Sequence, residues 1–592
     1  MDKNQTSHTI QSGILTQHAM LVAWGVYAQH IGLVKRLMAV YLHQKSRDHT
    51  PQKKVLEFLV AILAGLPHLK DISRSSHPLD QDVALAEAWG QTSWADYSGV
   101  GRTLQSLTEA EVTELIRTLN AVEQPVLEQE LELALHQMGY LLYDGDLTGR
   151  PVSNSSVSYP DATFGYMADG VQLGYQAAVV TVASPTFGRL WVSTQLHSGN
   201  TVSSTQAQAM VTAAESRTGL RPRRRTELVA KRLGQVEAAL LLADEAWDES
   251  RFHLYKAQDR ADETAQQLTD WRQEVAWLET IYQREGRTPT PHCRLSRARR
   301  KVTTLQGRLP RTQDQLARAQ RRLHRHERTL QTLNAEADQL RTHLAALEED
   351  NRANPAPIRA IFRLDSGFAT LENIAWLIEM GYDIYTKARP GKIQDRLMAA
   401  SEKAVWQRVG GNAHLAGWPQ TTVEGCLPYP MNVALARYQT GETQRHSVLL
   451  HYGQDLVSQD LDGWFHMYNG RQTIEAGIKE GKGVFQMHHL KVRSAQALRL
   501  QEHFACFAAN FVRRAAHWLA AQGTCPPAMQ VDSVKHLVQV SAHTSAWVYR
   551  QQDVWLLSFT EQSVYAGYSL QLGTGVVQLP LPFAHTVHFQ HF

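Results

Sequence analysis

Apolar residues recur every seven positions through two long stretches of this 592-residue chain. Counting from Leu233, one seam is Leu233, Leu240, Trp247, Leu254, Ala261, Leu268 and Val275, and the other is Val236, Ala243, Ser250, Ala257, Thr264, Trp271 and Leu278. A second frame from Val302 gives Val302, Leu309, Leu316, Leu323, Leu330, Ala337 and Leu344, partnered by Leu305, Thr312, Ala319, His326, Leu333, Leu340 and Leu347. Two paired seams at this spacing predict coiled-coil arms. Between them REGRTPTPHCRLS (284–296) supplies a glycine and two prolines, so the arms should fold back as an antiparallel hairpin over 226–351. At 1.5 Å per residue, an arm of some fifty residues reaches roughly 70–75 Å. Pro310 should kink the second arm or mark its start.

On either side the pattern becomes strand-like. GYLLYDGDLTG (139–149) is a short apolar run ending in acids, and VQLGYQAAVVTVAS (171–184) and FGRLWVSTQL (187–196) are rich in β-branched and aromatic residues. After the hairpin, IRAIFRLDSGFA (358–369) ends in an acid, then the amphipathic LENIAWLIEMG and the run YDIYTKAR read as helix and strand. Residues 1–135 read as a helical domain, and the region 521–592 alternates like short strands. The class is α/β, interrupted by the hairpin.

Composition is that of a globular protein, 43% hydrophobic and 20% charged, which excludes a disordered or fibrous chain. The first residues lack a basic-then-apolar leader, and no uncharged apolar run approaches the ~20 residues of a membrane span, so a cytoplasmic protein is expected. Cys293, Cys426, Cys506 and Cys525 form no CxxC pair, against a disulfide scaffold or zinc knuckle. The net charge of +3 hides an uneven distribution. Between Arg294 and Arg328 the returning arm is strongly basic, while the outgoing arm carries Glu237, Asp244, Glu245, Asp248 and Glu249. These charges either pair across the hairpin or line a phosphate-binding rod. RPRRRT (221–226) adds Arg223, Arg224 and Arg225 at the start of the hairpin and favours nucleic acid.

Candidate chemistry lies in three carboxylates. Asp146 and Asp365 end two separate apolar runs, and Glu475 lies on a later helix. Hard divalent cations take oxygen ligands, so this set suits Mg²⁺ or Mn²⁺, with two ions serving an in-line phosphoryl displacement. In YNGRQTIEAGIKEGKG (468–483), helical spacing puts Tyr468, Arg471, Glu475 and Lys482 near one side, converging on an anionic object.

Those four residues fit without a gap the Tyr-x2-Arg-x3-Glu-x6-Lys signature, and the chain resembles the DDE transposases of bacterial insertion sequences that carry it. IFRLDSGFA looks like the block holding the second aspartate. YDGDLTGRP looks like the Asp-x-Thr block holding the first, where Asp144 and Asp146 compete and Asp146–Thr148 matches the form. The resemblance implies a ribonuclease H-like catalytic core over 136–225 and 352–520, with a β-rich insertion at about 400–460. It implies a metal site at Asp146, Asp365 and Glu475, with phosphates of the element's end held by Tyr468, Arg471 and Lys482. The implied partner is double-stranded DNA, at element ends and target, bound by a homodimer without a membrane. The N-terminal helices would recognise the ends, with TSWADYSGVGRTLQSL (92–107) as a helix-turn-helix. The long coiled coil departs from the simplest family pattern. Two other classes compete: a domesticated DNA-binding or scaffolding protein that no longer cuts, and a stand-alone nuclease without strand transfer.

Overall fold

A ten-stranded mixed sheet organises the chain outside the long helices. The structure is a computed structural model that describes residues 13–44, 48–154, 159, 161–167, 170–389, 391–423, 427–487, 492–523 and 525–573. Cys426 and the end of the alternating C-terminal tail lie outside the described residues. In chain order the strands are β1 (Leu141–Pro151), β2 (Thr163–Met167), β3 (Gly170–Ser184), β4 (Gly188–Ser198), β5 (Ala360–Arg363) and β6 (Asp383–Lys387). They continue as β7 (Gln407–Arg408), β8 (Ala413–Thr421), β9 (Met431–Thr440) and β10 (Thr443–Tyr452). Their order across the sheet is β2-β3-β1-β5-β6-β10-β9-β8-β7, with β4 also paired to β3.

Strand direction changes at the centre. β1 is antiparallel to β3 and parallel to β5, and β5 is parallel to β6. A parallel pair needs a crossover, which the helix Leu371–Glu379 supplies between β5 and β6. The expected insertion at about 400–460 extends this sheet, since β10 lays Leu449–Tyr452 against Ile384–Lys387 of β6.

The N-terminal region is helical, with helices at Ala19–His30, Leu33–Met38, Pro51–Leu63 and Tyr97–Gln105 and the long α1 (Glu109–Met138). It is not a separate body. The strand Ile14–Thr16 pairs with Ala546–Gln551 near the other end of the chain, in a four-stranded sheet completed by Val554–Phe559 and Ser569–Leu572. Helix Ala495–Ala521 explains the merger, because Phe504, Phe507, Phe511 and Leu519 along it are 2% exposed or less. A helix buried this far needs cover on several sides, and the N-terminal helices and β4 provide it. Met1–Arg223 with Ala356–Phe592 forms one compact unit and Arg224–Pro355 the other.

The second unit is a helical hairpin of α2 (Thr226–Arg284) and α3 (Arg294–Arg352), each 59 residues long. Its buried side chains include Val229, Val236, Ala243, Ser250, Ala261 and Leu268 on α2 and Leu295, Ala298, Leu305, Thr312, Leu340 and Leu347 on α3. All lie on the seven-residue frames counted from Leu233 and Val302, extended by one repeat. The helices are antiparallel: Arg232 meets Glu336 and Glu237 meets Arg341 towards the base, while Glu274 meets Arg294 and Glu279 meets Arg299 towards the tip. α3 begins at Arg294, capped by Cys293, and continues through Pro310, which therefore does not mark its start. At the base Arg224 is buried, ion-paired with Asp350, and its backbone N–H donates to Asn351 Oδ1 at 2.7 Å. Arg224 thus serves the hairpin's own base, Arg225 is half-buried with contacts of its own, and Arg223 is exposed. Among the described residues no helix is long and apolar enough to cross a membrane.

Candidate active site

Asp144 and Asp146 stand two residues apart in β1, hence on one face of the sheet. Register separates their roles. Asp144 lies opposite Arg363 on the last parallel rung between β1 and β5, and accepts two hydrogen bonds from its guanidinium, both 2.6 Å long. Asp146 lies past that rung, where β5 has ended but β1 runs on against β3 as far as Pro151. The aspartate is therefore inside a strand, not at its end as the apolar run suggested, yet it sits where the parallel pairing opens. Asp365 follows two residues beyond Arg363, and its Oδ1 accepts from the Gly367 N–H at 2.7 Å.

The segment expected to be one helix from Tyr468 to Lys482 is two. α4 (Leu461–Asn469) carries Tyr468, Arg471 falls at the junction, and α5 (Gln472–Gly483) carries Glu475 and Lys482. Arg363 accounts for the break. Its Nη1 donates to the Met467 carbonyl at 2.7 Å, the acceptor an unbroken helix would offer to the Arg471 N–H. That N–H instead reaches the Tyr468 carbonyl at 3.1 Å. Gly470 makes the approach possible, since a Cβ there would lie 2.5 Å from Arg363 Nη1. One guanidinium thus ties Asp144 to the junction that presents Arg471.

Arg471 stands between two of the three carboxylates. Its Nη2 donates to Glu475 Oε1 at 2.6 Å, while Nη1 lies 3.6 Å from Asp146 Oδ2, beyond hydrogen-bond length. That Nη1 is buried without a hydrogen-bond partner. Burial pushes the Asp146 carboxyl up to about 6; Arg471 works against this, and the charges of Asp365 and Glu475 reinforce it. Asp146, Asp365 and Glu475 therefore share one electrostatic environment. Glu475 is the most accessible contact of Arg471, with 43% of its side chain exposed.

Further cations lie alongside. Lys387, at the end of β6, places its ammonium 5.0 Å from the Tyr468 ring centre; burial, then Arg471, lowers its pKa, against the pull of Glu475 and Asp365. Tyr468 is buried, and burial raises its hydroxyl to about 12. Arg389 donates to the Ser366 and Gly367 carbonyls at 3.2 and 2.8 Å, bracing the turn after Asp365. Arg363, Lys387 and Arg389 lie outside the motif positions that the sequence singles out. Their signal was a basic residue inside or just after each apolar run, as in IFRLD and YTKAR. Lys482 lies in the last turn of α5, half-buried, with contacts of its own.

Among the described residues, no three acidic, histidine or cysteine side chains converge as a preformed metal cage. With Arg471 between Asp146 and Glu475, the arrangement is a carboxylate set held around an arginine. Its donor chemistry still fits a hard cation, because a carboxylate raised by burial, and further by two neighbouring acids, is relieved by added positive charge.

No family model matches the chain, and no curated protein does. Among solved structures it is similar to a piggyBac transposase synaptic complex with hairpin DNA, at 9% identity over 90% of this chain and 82% of that one, with a TM-score of 0.35.

Proposed function

We propose that the chain is a DDE transposase, which cleaves DNA at the ends of a mobile element and joins the 3′-hydroxyls to a target. The observation that supports this reading is Arg471 standing between Asp146 and Glu475 where the parallel pairing opens, with the charge of Asp365 also acting on Asp146. The strand order β4-β3-β1-β5-β6, antiparallel then parallel, supports a ribonuclease H-like core. The seven-residue seams support an antiparallel coiled coil for the hairpin.

Asp146, Asp365 and Glu475 would hold Mg²⁺ or Mn²⁺, as one ion or two. Such ions activate water and stabilise the oxygens of an in-line phosphoryl displacement. Arg471 holds Glu475 in place, and its Nη1, near Asp146 but without a hydrogen bond, is suited to a phosphate oxygen. Tyr468 and Lys387 close one side of the site, and Arg363 fixes the junction by its bond to Met467.

The test is strand cleavage of a plasmid carrying the DNA that flanks the coding region. Asp146→Asn, Asp365→Asn and Glu475→Gln should each lower Mg²⁺-dependent cleavage by at least about 10³-fold. Arg471→Ala should lower cleavage while Mn²⁺ binding persists. Sequence-specific binding without cleavage by the unaltered chain would instead indicate a non-cutting DNA-binding protein, and cleavage without joining a stand-alone nuclease.

A further inference from the structure

We propose that one flank of the hairpin, made by the returning helix α3, binds the backbone of duplex DNA as a second contact surface. This rests on the DNA-processing function above. In the frame counted from Val302 as position a, Arg311, Arg318 and Arg325 occupy c, Arg308 and Arg322 occupy g, and Arg321 and Arg328 occupy f. Those three positions span about 100° of arc, so the arginines form one stripe along the helix. From Arg308 to Arg328 the stripe runs roughly 30 Å, the rise of about nine base pairs.

These charges are not neutralised within the hairpin. All seven arginines are exposed. Arg318 pairs with Asp314 on its own helix, and among the described residues the other six have no acidic partner. Register explains why. The contacts Arg232–Glu336 and Glu274–Arg294 both join g positions of the two helices. Carried between those points, the same alignment sets Arg308 opposite Arg260 and Arg322 opposite Ala246. Where the hairpin could have placed acids against its arginines, it has an arginine and an alanine.

The occupant must be a polyanion. An anionic membrane surface would need apolar residues beside the basic stripe, and α3 has no large hydrophobic residue among the exposed ones. A second copy pressed against this flank would bury like charges. Exposed Leu241, Leu242, Phe252 and Tyr255 lie on α2, the other helix. A phosphate backbone matches the stripe in sign and length, and releases counterions on binding.

The experiment measures binding of the full chain to a 50-base-pair duplex of random sequence across a range of NaCl concentrations. Arg308→Gln, Arg311→Gln, Arg321→Gln, Arg322→Gln and Arg325→Gln combined should weaken binding at least tenfold and flatten the slope of log K against log salt by about 4.5, at about 0.9 per lost phosphate contact. If that variant loses helicity, Arg311→Gln with Arg325→Gln should still flatten the slope by about 1.8. An unchanged slope overturns the proposal and leaves the cleavage reading standing. A shift from dimer to monomer in light scattering with the slope unchanged overturns it in favour of self-association. Failure of the unaltered chain to bind any duplex at low salt would overturn both.

Discussion

On the hairpin, Arg299 meets Glu279 at 2.7 Å with about half of each side chain in water, 53% and 45% exposed. In the sheet, Arg363 meets Asp144 at 2.6 Å with 6% and 7% exposed. The two contacts look alike in length and differ in consequence. Water screens the first and solvates either partner if the other is lost, so its net worth is small. The second has exchanged hydration for a bidentate fork, and either partner left alone would be a buried, uncompensated charge. The same chemistry is optional on one unit and obligatory in the other, and only the obligatory pair is connected onward, through Met467, to the candidate site.

The sharpest way to break this comparison is Arg363→Met, which strands Asp144. Chemical denaturation should show a loss of about 3–5 kcal/mol, and Asp144→Leu added to it should recover most of that. A double variant as unstable as the single one would mean that the bond to Met467, not the ion pair, dominates. A smaller effect of opposite sign is expected at Asp146. Its carboxyl is raised to about 6 in the folded chain, chiefly by burial. The fold therefore favours the protonated form, and that contribution is present at pH 4 and lost as the pH rises through 6. Asp146→Asn should stabilise the metal-free protein by about 2 kcal/mol at pH 8 and by almost nothing at pH 4, read from melting at the two pH values. A gain equal at both would assign the effect to packing. Smallest of all, Arg299→Ala should change stability by less than about 1 kcal/mol, and raising the salt should shrink even that.

Legibility in the sequence followed the same division. The hairpin was readable almost to its ends, because a heptad seam is a local pattern and each helix satisfies its own backbone. Strands β1, β5 and β6 were visible as apolar runs for a similar reason. What could not be read was register. Whether Asp144 or Asp146 faces Asp365 depends on where β5 stops alongside β1, and that pairing joins Leu141 to Ala360. Nor could helical spacing reveal that Arg363 would capture the Met467 carbonyl and divide the helix at Gly470. The merging of the two chain ends in one small sheet is also a long-range pairing, of Ile14 with Val548, with no local trace.

The position of the hairpin in the chain makes its length an independent variable. It is inserted between β4 and β5, and the sheet's strands on either side hold no residue of its arms. Loop-closure entropy grows only with the logarithm of length, so doubling such an insertion costs the sheet about 0.6 kcal/mol. Removing seven residues from each helix at matched places keeps both seams in phase and shortens the arm by about 10 Å. The arm is thus a ruler that can be recut in whole heptads, its own length changing while the carboxylates and their arginine stay as they are.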